Sequence, residues 1–154
     1  MLKAIRDFFN DQVSGRLNEP DPAAAEHAYQ LATAALLMEI SRADRDIHDA
    51  EREAVTRAIR RTFELDEEET RALVKLAEKE AEDATSLYDF TRLINENFDD
   101  RQKQRVVEML WQVAFADGNA DNYEEHLIRR IADLIHVPHR GFIRAKLAVE
   151  SGSR

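Results

Sequence analysis

Apolar residues recur along this chain at intervals of three and four positions, the period of a helix with one buried face. No segment alternates between apolar and polar residues, so nothing in the pattern favours a strand. The pattern therefore predicts an all-α protein, a compact bundle of about seven or eight helices. The predicted helices are residues 2–13, Ala23–Arg42, Asp49–Phe63, three that follow Asp66, Ser86 and Asp99, Tyr123–His136, and one that starts at Pro138.

Three predicted helix starts carry the spacing of a capping box, in which two side chains three residues apart each accept the other's backbone N–H. These pairs are Asp66 with Glu69, Ser86 with Asp89, and Asp99 with Gln102. The chain has only four glycines and three prolines. We therefore expect polar caps to separate most of the helices.

The helices differ in how much apolar surface they carry. The segment Val106–Phe115 is apolar nearly all round, which predicts a buried helix with Trp111 in the core. The last helix is predicted to turn Phe142, Ile143 and Leu147 inward.

The beginning of the chain is set apart by the proline-containing segment Ser14–Pro22, which is interpreted as a linker. The chain is accordingly divided into residues 1–20, an amphipathic helix with its linker, and residues 21–154, a helical domain. The polar face of the first helix has no excess of cations, which favours docking on its own domain or on a partner subunit over a membrane surface.

The charge and composition exclude several classes of function. Acidic residues number 31 against 22 basic ones, a net charge of −9, and a surface of this sign repels nucleic acid. There is no cysteine, which excludes disulfides and thiolate metal sites. The longest nearly apolar run, Leu31–Met38, is far short of the roughly 20 residues that span a bilayer. The sequence predicts a cytoplasmic protein without a nucleic-acid partner or an integral membrane segment, whose acidic runs Glu67–Glu69 and Glu78–Asp83 are solvated helix faces.

Two segments resemble each other at a displacement of 73 residues: Leu36–Ile59 and Met109–Ala132. Each contains a buried helix, an Ala-Asp loop, and an amphipathic helix with an acid in its first turn. Two helix pairs of one kind predict a bundle with an internal pseudo-twofold repeat.

The two repeated loops hold the candidate site. The predicted metal ligands are Asp44, Asp46 and Glu51 in the first loop, and Asp117, Asn119, Asp121 and Glu124 in the second. Oxygen ligands of this kind suit Ca²⁺ or Mg²⁺. The spacing is not that of an EF-hand, because the sixth position from Asp117 is Asn122 and the twelfth is Ile128. The alternative is that these acids only cap helices.

Neighbouring charges distinguish the two loops. Arginines 42, 45 and 52 flank the first loop and can neutralise its acids, which favours capping alone there. No Lys or Arg occurs from Ala114 through Leu127, and Asp117 follows a helix end, where the dipole repels a carboxylate. For the second loop, capping and cation binding are evenly balanced.

No catalytic motif is visible, which predicts that the protein is not an enzyme. His136 and His139 could pair on a metal, but Pro138 lies between them, and solvated histidines are favoured. Nor does the sequence show a cluster of basic residues that would bind an oxyanion.

The Ala-Asp loops, each followed by an acid that opens a helix, resemble the TerB (tellurite-resistance B) family. Val107–Val137 is similar to small bacterial TerB-like proteins, and so are the N-terminal LKAIRDFF and Leu87–Asn95. The resemblance covers nearly the whole chain, although Arg45 and His48 differ from the family's pattern. It implies an all-helical bundle with twofold repetition, a link to tellurite or chemical stress, metal binding by the loop residues named above, and action through binding.

Two functions therefore remain open at the level of sequence. The first is a non-enzymatic TerB-like binding module whose second acidic loop holds Ca²⁺ or Mg²⁺. The second is a helical scaffold or homodimeric interaction module without metal, in which residues 1–13 contribute to the interface.

Overall fold

The structure is a computed structural model that describes residues 6–17, 20–43, 49–79, 86–116 and 122–152. All regular secondary structure in these ranges is helical, which confirms the predicted all-α bundle. A π-helical segment, Phe9–Ser14, is followed by α1 (Gly15–Leu17), α2 (Pro22–Ala43), α3 (Asp49–Phe63), α4 (Glu67–Lys79), α5 (Ser86–Asn97), α6 (Asp100–Phe115), α7 (Asn122–Leu134) and α8 (His139–Gly152).

The long helices α2 and α6 pack against each other and form the centre of the bundle. Helix α3 packs on α2 and α7 packs on α6, while α3 also contacts α6 and α7 also contacts α2. Positions matched by the internal repeat are buried alike, as Leu37 and Leu110 show, and likewise Ile59 and Ala132. This reciprocal packing is the pseudo-twofold arrangement that the repeat predicts.

Capping boxes fix the starts of α4 and α6, as predicted. The N–H of Glu69 donates to Asp66 Oδ1 at 2.7 Å, and the N–H of Asp66 donates to Glu69 Oε1 at 3.0 Å. At α6, the N–H of Gln102 donates to Asp99 Oδ1 and the N–H of Asp99 donates to Gln102 Oε1, both at 2.8 Å. These bonds satisfy N–H groups that a helix start otherwise leaves without a partner.

The N-terminal segment packs on the chain's own helices. Phe9 and Val13 are buried, and the Phe9 ring centroid lies 6.2 Å from the ring centroids of both Phe90 and Phe98. Helical backbone continues through Leu17, beyond the start of the predicted linker. The apolar face of these residues therefore belongs to the core of the bundle.

Helix α8 turns a different face to the core than the one predicted. Phe142 is buried, but Ile143 is 36% and Leu147 is 55% exposed, and Ala145 takes an inward position instead. Trp111 of α6, itself buried as predicted, donates its Nε1–H to the backbone oxygen of Phe142 at 3.2 Å. The prediction for Ile143 and Leu147 is wrong. The helical period alone cannot determine whether Phe142 or its neighbour Ile143 faces the core, and the contact with α6 selects Phe142.

The longest helix, α2, has 22 residues and carries the acids Glu26 and Glu39. Throughout the described ranges, no helix combines the length and the apolar character that a membrane crossing requires.

Candidate functional site

The two acidic loops connect the paired helices of each repeat. Five of the predicted metal ligands lie outside the described residues: Asp44, Asp46, Asp117, Asn119 and Asp121. Glu51 and Glu124 are described in their backbone but not in their side chains, and each is the third residue of its helix, α3 or α7. The repeat therefore aligns the two helix starts in the same register, and metal binding by these seven residues stays a prediction.

Helix α6 ends immediately before the second loop. Its last residue is Phe115, and the C-cap residue Ala116 donates its N–H to the backbone oxygen of Val113 at 3.2 Å. Asp117 therefore follows the carbonyl end of a 16-residue helix. The helix dipole disfavours a negative charge at this end unless something compensates for it.

On the far side of the second loop, the carboxylate of Glu125 is already paired. Its Oε1 lies 3.1 Å from Lys146 Nζ, and its Oε2 lies 3.8 Å from Arg129 Nη2. Lys146 comes from α8, so the fold brings a further cation to the edge of a loop in which no Lys or Arg occurs from Ala114 through Leu127.

A groove of about 820 Å³ lies between the start of α2, the first turns of α6, and the junction of α7 with α8. Its basic residues are Arg101, Lys103, Arg105, Arg140 and Arg144, and its acidic residues are Glu26, Asp99, Asp100 and Glu108. The lining also includes apolar groups at Tyr29, Val137 and Pro138. The groove thus has five basic and four acidic groups on a chain whose net charge is −9.

Lys103 is the most deeply buried charged residue of this groove, at 7% exposure. Among the described residues, no carboxylate forms an ion pair with its ammonium group. Its apolar stem is packed in the protein, and lysine is rarely buried to this degree without a partner for its charge.

The wall of the groove next to α2 is closed by an ion-paired arginine. Arg105 Nε donates to Glu26 Oε1 at 2.9 Å, and Arg105 Nη1 donates to Glu108 Oε1 at 2.9 Å. The hydrogen bond that Arg105 donates to Glu26 is the main cause that raises the pKa of Arg105. Both acids therefore share one guanidinium, which remains charged at any physiological pH.

The opposite wall depends on a close approach of α6 and α8 at Gly141. Gln104 Nε2 donates to the backbone oxygen of Gly141 at 2.9 Å. A Cβ at this position would lie 2.8 Å from Gln104 Oε1 and 3.0 Å from Val137 Cγ1. The missing side chain therefore lets the first turn of α8 lie against α6.

The turn between α7 and α8 places His136 at the edge of the groove. His136 has a left-handed φ of 64°. Its N–H donates to the backbone oxygen of Asp133 at 3.2 Å, and the N–H of Val137 donates to the backbone oxygen of Ala132 at 2.8 Å. These bonds form a Schellman motif, which ends α7. His139 was considered above as a residue that could bind a metal together with His136. Its ring stacks on Phe142, with the ring centroids 5.7 Å apart.

A second polar cluster surrounds Glu69, near the start of α2. The Glu69 carboxylate is only 6% exposed, with its Oε2 2.9 Å from Arg16 Nη1 and 2.6 Å from His27 Nε2. Glu67 and Glu68 are exposed, as predicted, but the interpretation of Glu69 as part of a solvated face is wrong. It is buried because the N-terminal segment and α2 both supply a cationic or donor group to it.

No group of three His, Asp or Glu side chains within the described part of the chain is arranged to hold a metal ion. The family model described as "Tellurite resistance protein TerB" matches residues 30–147. The chain belongs to the TerB family. No curated protein and no solved structure matches it. The TerB match extends from within α2 to within α8, so it includes both acidic loops and most of the groove, and it leaves out the N-terminal segment.

Sequence reasoning missed the groove of this TerB-family chain because its residues come from three distant parts of the sequence. One signal was present. Lys103 lies three and four residues before Val106 and Val107, on the face of α6 that the apolar pattern assigns to the core. A lysine at an inward position indicates either a buried ion pair or a site for an anion.

Proposed function

We propose that this TerB-family chain is a binding module without catalytic activity, and that its second acidic loop, Asp117–Glu124, binds a divalent cation such as Ca²⁺ or Mg²⁺. The role we propose for it is in the response to tellurite or related chemical stress, in line with the description of the family. The observation that carries the proposal is the repeat: two helix pairs of one kind join through loops with matching acids.

The charges on either side of the second loop support a cation there. Asp117 follows the carbonyl end of α6, where its charge needs compensation. Glu125 is already paired with Lys146, so that lysine does not neutralise the acids of the loop itself. Three carboxylates and the amide of Asn119 supply the oxygen ligands that Ca²⁺ and Mg²⁺ take, with water completing the coordination.

Calorimetric titration of the full chain with CaCl₂, MgCl₂ and MnCl₂ in metal-free buffer tests this proposal. We expect saturable binding with a dissociation constant of about 10⁻⁵ to 10⁻³ M. Asp117→Asn should weaken it by about tenfold or more, because affinity at such sites depends on the number of charged ligands. Asp44→Asn should change the affinity of the tightest site less than Asp117→Asn does.

The matched control is Asp133→Asn, which removes the same charge from an exposed position on α7 outside the loop. It should leave the affinity within about twofold, as expected for a surface charge that contacts no ligand. An equal loss in Asp133→Asn and Asp117→Asn would mean that only the overall charge attracts cations. Absence of saturable heat with every cation would contradict the proposal.

A second candidate function, an interaction module without metal, is favoured by the exposed apolar residues of α8. Ile143 and Leu147 lie one turn apart at 36% and 55% exposure. Phe9 and Val13 are buried within the chain and do not offer an interface, so in this candidate we propose that a homodimer would form through the α8 face. Light scattering should then show a dimer that Leu147→Glu dissociates and that Tyr88→Glu, at another exposed site, leaves intact. A monomeric wild-type protein would exclude this candidate.

A further inference from the structure

We propose that the groove between α6 and α8 is a binding site for an oxyanion, either free or carried by a small molecule, with Lys103 as its central contact. This site is separate from the acidic loops and does not depend on the cation proposed for them. Three features of the groove support it: a largely buried lysine without a partner among the described residues, the N-terminus of α8, and acids that are already engaged.

The first feature is the ammonium group of Lys103. The residue is more than nine-tenths buried, lines the groove, and has no ion pair or side-chain hydrogen bond within the described part of the chain. An ammonium group held in place by a buried stem and free of a partner can form a charge-assisted contact with an anion. Lys103 therefore supplies a positive charge with which no described residue forms an ion pair.

The second feature is the start of α8, a helix of 14 residues whose first turn lines the groove and carries no acid. In α8, the N–H groups of Gly141 and Phe142 donate to Pro138 O at 2.8 and 3.0 Å, so those of His139 and Arg140 have no carbonyl within the helix. These free N–H groups and the positive dipole end favour an anion. The start of α6 also lines the groove, but Asp99 and Asp100 already place carboxylates there.

The third feature is that most acids of the groove are already engaged. Glu26 and Glu108 pair with Arg105, and Asp99 accepts the N–H of Gln102 in its capping box. The basic residues Arg140 and Arg144 are exposed at the rim, where a guanidinium group can bind two oxygens of one oxyanion.

The dimensions of the groove fit a small ligand. Its volume of about 820 Å³ lies within the usual range for small-molecule sites, and it exceeds what a bare oxyanion fills. Tyr29, Val137 and Pro138 add apolar surface beside the charged groups. An organic part attached to the oxyanion would therefore have a place to bind.

The test is a calorimetric titration of the full chain at low ionic strength with inorganic phosphate, with tellurite, and with adenosine 5′-monophosphate. We expect saturable binding of an oxyanion. Lys103→Met should weaken it by about tenfold, since a charge-assisted contact of this kind contributes more than 1.4 kcal/mol, or tenfold in affinity. Tighter binding of the nucleotide than of phosphate would show that the ligand's organic part contributes, and equal binding would assign the site to the bare oxyanion.

The matched control is Arg60→Gln, which removes one positive charge from an exposed position of α3 that does not line the groove. It should change the affinity less than twofold. Arg144→Gln, an exposed substitution at the rim that should not affect folding, is expected to weaken binding about threefold and serves if Lys103→Met does not fold. Amide NMR shifts caused by phosphate should be confined to the first turns of α6 and α8.

Three results would overturn the proposal. The first is absence of saturable binding of every probe. The second is an equal loss of oxyanion affinity in Arg60→Gln and Arg144→Gln. The third is unchanged affinity in a folded Lys103→Met. Asp117→Asn should bind phosphate as the wild type does, so failure of the cation site and failure of the anion site are distinguishable.

Discussion

The two central helices of the repeat begin in different surroundings. The side of α2 that carries His27 is covered by the N-terminal segment and α4, and we call it the closed end; the groove, which the start of α6 lines together with Glu26 of α2, we call the open end. At the same displacement of 73 residues as the repeat, Gln30 of α2 corresponds to Lys103 of α6. Gln30 Oε1 lies 2.8 Å from His27 Nδ1, whereas Lys103 has no side-chain partner among the described residues.

The difference shows how two helices of one repeat, α2 and α6, can lie in surroundings of different kinds. At the closed end, the buried carboxylate of Glu69 is the counter-charge of Arg16 and a hydrogen-bond partner of His27. At the open end, no equivalent acid covers Lys103 within the described residues. We therefore expect substitutions at the closed end to affect stability, and substitutions at the open end to affect ligand binding more than stability.

The largest effect should come from Phe9→Ala at the closed end. The Phe9 ring is almost fully buried against Phe90 and Phe98, so its removal should lower the free energy of unfolding by about 3 to 4 kcal/mol. Urea denaturation measures this change. Tyr88→Ala, at a site that is 49% exposed, should cost less than about 1 kcal/mol. A similarly small cost for Phe9→Ala would show that the N-terminal segment is not part of the core.

A smaller effect is expected for Glu69→Gln. This change leaves Arg16 and His27 beside a neutral amide and should lower the free energy of unfolding by about 2 kcal/mol. The control is Glu67→Gln, whose exposed pair with Arg71 should contribute within about 0.5 kcal/mol. If the two variants unfold at the same urea concentration, the ion pairs of the closed end do not stabilise the fold.

The smallest effect is expected at the open end, for the pair of Arg105 and Glu26. Their side chains are 34% and 40% exposed, so a double-mutant cycle should give a coupling of only about 0.5 kcal/mol. Because the pKa of Arg105 is raised, its contribution is complete at any pH below its ordinary pKa. The coupling should therefore be equal at pH 7 and pH 9, and a fall at pH 9 would contradict this account.

Local features of the fold were predictable from the sequence. The capping boxes at Asp66 and Asp99 depend on residues three positions apart, and both are present. The bounds of α3, Asp49–Phe63, were predicted to the residue from the helical period of its apolar positions. The repeat also predicted which helices correspond to each other, and its matched positions, such as Leu37 and Leu110, are both buried.

Features that depend on contacts between distant segments were not predictable. The rotation of α8 depends on Trp111, which accounts for the incorrect assignment of Ile143 and Leu147. The burial of Glu69 depends on Arg16, more than fifty positions earlier in the chain. For the same reason, the groove around Lys103 could be recognised only once α6 and α8 were placed together.

The carboxylate of Glu69 has a consequence for how the chain folds. Its Oε1 accepts the N–H of Asp66 and so closes the capping box of α4, while its Oε2 pairs with Arg16 of the N-terminal segment. The Glu69 side chain thus connects the N-terminal segment, through Arg16, to the first turn of α4, which begins at Glu67. The N-terminal segment is accordingly part of the same cooperative folding unit as α4, and a truncation that removes Arg16 should destabilise the first turn of α4.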